Sequence, residues 1–102
     1  MLELRPSCEH CNKPLPPAST DARICSFECT FCAQCVEAVL ANVCPNCGGG
    51  FCPRPVRPVR DVQAGNNLQR YPASTKVRHR PVDIERHALL IKRMSELPPE
   101  QR

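Results

Sequence analysis

Cys8-Glu9-His10-Cys11, Cys25-Ser26-Phe27-Glu28-Cys29, Cys32-Ala33-Gln34-Cys35 and Cys44-Pro45-Asn46-Cys47 set eight cysteines in four close pairs within the first half of a 102-residue chain. Three of the pairs have a two-residue gap, which lets neighbouring thiolates grip one metal while backbone amides turn toward the sulfurs. Zinc takes four such ligands tetrahedrally in structural sites. Eight thiols at this spacing therefore predict two closed four-cysteine sites holding two zinc ions through Cys8, Cys11, Cys25, Cys29, Cys32, Cys35, Cys44 and Cys47. Cys52 is left over.

Spacing alone leaves the grouping open. Sequential pairing puts Cys8, Cys11, Cys25 and Cys29 on one ion and Cys32, Cys35, Cys44 and Cys47 on the other. Interleaved pairing joins Cys8 and Cys11 to Cys32 and Cys35, and Cys25 and Cys29 to Cys44 and Cys47. Under either scheme every coordination position is filled, so water or substrate finds no place on the metal and zinc hydrolysis is not expected. A redox role for a single Cys-x-x-Cys needs a βαβ context that this sequence lacks. With no phosphate loop and no nucleophile beside an ordered base, the chain is not expected to be an enzyme.

The rest of the composition explains why metal is needed. Twelve prolines stand against four glycines, there is no tryptophan, and only Phe27, Phe31, Phe51 and Tyr71 are aromatic. Ordering a residue costs on the order of 1–2 kcal/mol, and a chain this short and poor in large apolar groups needs a staple. A structural zinc site supplies an apparent folding energy of about 10–16 kcal/mol. No stretch approaches the ~20 apolar residues of a membrane span. Met1-Leu2-Glu3-Leu4-Arg5-Pro6 lacks the order of a secretory signal, so a reducing cytoplasm is expected and thiols outrank disulfides.

Charge divides the chain near Pro53. Residues 1–52 carry three basic and five acidic groups, whereas residues 53–102 carry eleven basic and five acidic ones and no cysteine. The expected organisation is a two-zinc head over 1–52, a flexible Pro/Arg-rich linker over 53–81 and an amphipathic helix over 82–97. Within the head, Ala22–Phe27 alternates as a strand, and Val36, Val39 and Leu40 recur at helical spacing between Ala33 and Asn42. Cys52 reads as a small buried hydrophobe beside Phe51, and His10 as an exposed residue between two ligands. In the tail, Pro53-Arg54-Pro55-Val56-Arg57-Pro58-Val59-Arg60 suits extended polyproline-like chain. Asp83 reads as a helix N-cap. Ile84, Ala88, Ile91 and Ser95, flanked by Leu90, Met94 and Leu97, form the apolar stripe of the helix that Pro98-Pro99 stops.

Two resemblances sharpen this reading. Phe31-Cys32-Ala33-Gln34-Cys35-Val36 and Cys44-Pro45-Asn46-Cys47 resemble the middle and closing ligand pairs of a RING finger, with Cys29 where histidine usually stands. That resemblance implies the interleaved cross-brace. The fold class it implies is a small metal-stapled α+β protein: a RING-like or treble-clef binuclear zinc head (a short hairpin plus one helix), an extended basic tail and a C-terminal helix. Met1-Leu2-Glu3-Leu4-Arg5-Pro6, Ile24-Cys25-Ser26-Phe27-Glu28-Cys29-Thr30-Phe31-Cys32 and Cys44-Pro45-Asn46-Cys47-Gly48-Gly49-Gly50-Phe51 also resemble a family of short bacterial cysteine-rich proteins of unknown function. This likeness covers about half the chain and implies a zinc-binding head with no established activity. Glu9-His10 where ubiquitin-ligase RINGs carry an apolar residue, Gly48–Gly50 after the last ligand and the missing tryptophan all speak against ligase activity.

The expected function is a protein-interaction or adaptor module whose protein partner the sequence does not name, with no membrane contact. The rival partner is nucleic acid, met through Arg54, Arg57, Arg60, Arg78 and Arg80. Replacing eight thiol protons with two dications makes the head more acidic, so Arg54, Arg57 and Arg60 are also expected to approach it at low salt.

Overall fold

The computed structural model describes residues 1–102. Strand β1 (Ala22–Ile24) is central in a three-stranded antiparallel sheet of order β2-β1-β3, between β2 (Thr30–Cys32) and β3 (Cys52–Pro53). Ala22 faces Cys32 and Ile24 faces Thr30 on one side, while Ile24 faces Cys52 on the other. The alternation of Ala22-Arg23-Ile24 buries Ala22 and Ile24 and turns Arg23 outward. The loop joining β1 to β2 is the segment from Cys25 to Cys29, with Glu28 in the left-handed region at φ 65°.

The helix expected between Ala33 and Asn42 forms in two parts: a short α1 (Ala33–Cys35), then a π-helical turn over Val36–Leu40. Cys32 is the N-cap of α1, its sulfur accepting the Cys35 amide. The π turn ends on two left-handed residues, Ala41 and Asn42, at φ 50° and 58°. The wider turn brings Val36 and Leu40 into the core. There they join Leu15, Ala22, Phe31 and six cysteines. Phe51 meets Phe31 edge-on, ring centres 5.5 Å apart.

Helix α2 (Ile84–Met94) starts where its sequence predicts, with the Asp83 carboxylate accepting the Arg86 amide. Its docking differs from the expected stripe. His87 is the buried residue of the helix, and its Nε2 donates to the Leu40 carbonyl at 3.1 Å. Ile84 is left 55% exposed. A helix that docks through one hydrogen-bonded ring turns toward that bond, and the apolar stripe moves off centre.

Between β3 and α2 the chain has no strand or helix, and it lies against the head. Arg54, counted as a candidate phosphate contact, is instead 4% exposed. Its guanidinium donates to the carbonyls of Arg5, Leu15 and Pro16 at 2.9, 3.2 and 3.0 Å. Arg57 donates to the carbonyls of Tyr71 and Leu2. Further on, the Ser74 amide donates to Leu4 and the Arg80 amide to Glu9. Two other expectations are corrected. His10 is half-buried, its Nδ1 accepting the Val82 amide at 2.8 Å. Cys52 is exposed, because β3 is an edge strand.

Removing the Arg54 guanidinium leaves three carbonyls without their donor. Arg54→Met is expected to destabilise the metal-loaded protein by about 2–5 kcal/mol, read from denaturant unfolding. Arg60→Met, at an exposed position, should change it by less than about 0.5 kcal/mol.

Candidate metal centre

Three of the four cysteine pairs sit in turns built from local backbone bonds. In Cys8–Lys13 the Asn12 amide donates to Cys8 and the Cys8 amide to Lys13, with Asn12 at φ 62°. In Cys44–Gly49 the Gly48 amide donates to Cys44 and the Cys44 amide to Gly49, with Gly48 at φ 80°. The two turns repeat each other residue for residue, and the left-handed position after the second cysteine favours asparagine or glycine. Cys25–Cys29 closes a tighter loop at the tip of the β1–β2 hairpin. The fourth pair, Cys32 and Cys35, lies on the first turn of α1.

These turns converge in an interleaved arrangement. The sulfurs of Cys8, Cys11, Cys32 and Cys35 lie within 4.8 Å of one another, as do those of Cys25, Cys44 and Cys47. Cys29 lies outside the mutual range of the second group, although its ionisation is linked to that of Cys44 and Cys25. Cys52 belongs to neither group. The Cys11 and Cys32 sulfurs are 3.8 Å apart. A tetrahedral ion with metal–sulfur bonds of about 2.3 Å sets its ligands about 3.8 Å from one another. The Cys11–Cys32 separation matches two ligands of one such ion, and the first cluster has the donor set of a four-thiolate metal site.

Amides point at the sulfurs as such a site requires. The Cys11 amide donates to Cys8, the Cys35 amide to Cys32 and the Gly49 amide to Cys47, at 3.4–3.5 Å. The Asn46 side-chain amide donates to Cys29 at 3.4 Å. Each of these bonds favours the thiolate over the thiol. The Cys44 thiol donating to it, with help from Asn46, holds Cys29 down to about 5, and Arg5 adds its charge. The same bond, together with burial, pushes Cys44 far up. Burial likewise raises Cys25, to about 11, and also Cys8 and Cys35. For Cys11 burial also acts upward, but the Lys13 amide and the thiols of Cys8, Cys35 and Cys32 outweigh it. Without metal, each cluster mixes one favoured thiolate with strongly protonated neighbours. A dication would displace those protons.

Three residues that support the clusters have no signature in the sequence. Glu9, inside the first pair, is 5% exposed and bolts the first turn to the hairpin. Its carboxylate accepts the Thr30 amide at 2.6 Å and the Arg5 guanidinium at 2.8 Å. Arg5 is the second, bridging Glu9 and Glu3. Asn46 is the third, and its place between Cys44 and Cys47 was the one available hint.

Fold and clusters together define a small α+β protein organised around two groups of cysteines that could each hold a metal ion. The chain belongs to the DUF1272 family, proteins of unknown function, which it matches over residues 1–57. An uncharacterized protein of Rhizobium meliloti (strain 1021) is 57% identical over 75 residues, 74% of this chain and 82% of that protein. No solved structure matches the chain. No helix is long and apolar enough to cross a membrane.

Thiol accessibility separates the clusters from the spare cysteine. In metal-loaded protein, brief alkylation should add one group, on Cys52, by intact mass and peptide mapping; after chelation and denaturation all nine cysteines should react. Because protons compete for the sulfurs, metal should be released as pH falls, followed by a chromogenic chelator.

Proposed function

We propose that this protein is a zinc-stapled interaction module with a RING-like, cross-braced head, in which the metal organises a surface and catalyses nothing. The observation that carries the reading is the interleaving of two cysteine clusters, with one pair of sulfurs in the first at tetrahedral spacing. Cys29 completes the second set, drawn in by the metal from just outside the group of Cys25, Cys44 and Cys47. All-thiolate donors suit zinc, and four of them close each ion to substrate. Zinc bound in this way supplies folding energy and fixes the turns that carry it.

The surface so fixed has the character of a contact site. Phe27, at the tip of the Cys25–Cys29 loop, is 71% exposed. Val56, Val59 and Val62 are exposed along the following segment. An aromatic side chain held out on a rigid turn loses little entropy on binding. Nucleic acid remains the second reading, weakened because Arg54 and Arg57 are bonded to head carbonyls. Arg60 and Arg80 stay exposed. A salt-dependent mobility shift of labelled DNA or RNA would support it.

Elemental analysis of reduced, unchelated protein should give two zinc ions per chain. Cys52→Ser should leave that number unchanged, and Cys32→Ser should lower it and unfold the head by circular dichroism. One ion or none in the native protein overturns the reading. Partners co-purified from native cells should be lost with Phe27→Ala while zinc content stays at two.

A further inference from the structure

A cleft of about 440 Å³ lies between the Cys44–Cys47 turn and the start of α2, outside both cysteine clusters. It falls in the size range of small-ligand sites. Arg80, Arg86, His87 and Asn46 supply its polar wall, and Phe31, Val82 and Leu90 its apolar one. Two features of that wall and one of an adjoining cavity point to an oxyanion.

His87 is 4% exposed and uses Nε2 to reach the Leu40 carbonyl, so Nε2 carries the hydrogen. Its Nδ1 is buried with no partner. A buried polar atom in that state calls for a ligand or water. Second, the guanidinium groups of Arg80 and Arg86 have no acceptor in the protein, unlike those of Arg5, Arg54, Arg57 and Arg102. Third, a neighbouring cavity that shares Glu9, Asn46 and Arg80 is lined by Arg78, whose Nε is likewise buried and unpartnered. The acids facing the cleft are already engaged. Glu9 is bonded to Arg5 and the Thr30 amide, and Asp83 caps α2.

We propose that this cleft binds a small phosphate monoester, its phosphoryl group held by Arg80, Arg86 and His87 and its organic part against Phe31 and Leu90. Two guanidinium groups suit phosphoryl oxygens geometrically and electrostatically. The histidine adds discrimination. With the hydrogen on Nε2, Nδ1 presents a lone pair and needs a donor, which the P–O–H of the monoanionic ester provides. A phosphate monoester keeps such a hydrogen up to about pH 6. Sulfate, with no hydrogen to give near neutral pH, lacks this bond to Nδ1.

The test is calorimetric titration of the metal-loaded full chain with phenyl phosphate, inorganic phosphate and sulfate. Phenyl phosphate should bind saturably at one site and more tightly than inorganic phosphate, with sulfate weaker by about tenfold or more. Arg80→Gln combined with Arg86→Gln should weaken phenyl phosphate by about tenfold or more. Both residues are exposed, so amide spectra should show the fold retained. Arg60→Gln, outside the cleft, should leave binding unchanged. Equal affinity for sulfate, equal loss with Arg60→Gln, or absence of saturable binding would overturn the proposal. So would stronger binding of a single-stranded oligonucleotide to the same arginines, because the occupant would then be a nucleic-acid backbone.

Discussion

The structure depends on bringing thiols together where a larger protein would bring together leucines. Six of the eleven residues in the buried core are cysteines, and the only aromatic ring among them is Phe31. Such a core gains little from apolar burial, at roughly 25 cal/mol per Å². Unmetallated, it also packs thiols whose burial opposes ionisation against others held as thiolates. The amides aimed at Cys8, Cys29, Cys32 and Cys47 have their full worth only when those sulfurs carry charge. Everything around the clusters is arranged for the charged form.

Interleaving adds a mechanical consequence. Strand β2 is three residues long, with Cys29 just before it and Cys32 at its end. One end therefore faces the second cluster while the other belongs to the first. The hairpin cannot shift toward one group of sulfurs without drawing on the other. Glu9 ties the first turn to the same strand through the Thr30 amide. The head is a single unit, although its cysteines read as four separate pairs along the sequence.

What was legible follows range. The cysteine pairs could be read because each turn closes within a few residues and leaves a local mark in the spacing of its thiols. Asp83 marked the start of α2 for the same reason, whereas the helix ends at Met94, short of Pro98-Pro99, which instead open a 3-10 turn over Pro99–Gln101. The docking of the tail could not be read. Arg54 reaches Arg5 across 49 residues, Arg57 reaches Leu2 across 55, and Val82 reaches His10 across 72. No periodicity encodes such bonds, and a Pro/Arg run looks alike whether its arginines face solvent or carbonyls. Cys52 was misjudged because cysteine is commonly buried, and nothing local shows that its strand is an edge.

The nature of the tail's attachment alters how its charge should be understood. An arm drawn to an acidic head by net charge would be screened at physiological salt, where the Debye length is about 8 Å. Arg54 and Arg57 make a different attachment. Both guanidiniums end on backbone carbonyls, and Arg54 does so out of contact with solvent. Burial acts to lower the Arg54 pKa, and a guanidinium keeps its charge in proteins. Hydrogen bonds of a buried cation to fixed dipoles are short-ranged and lie beyond the reach of mobile ions. These contacts therefore belong to the fold, and they subtract two arginines from the basic surface that composition suggests. Within the Pro/Arg run Arg54 and Arg57 are taken up by the fold, whereas Arg60 there, and Arg80 and Arg86 beside α2, keep exposed guanidinium groups, so a basic composition alone overstates the charge that the surface presents.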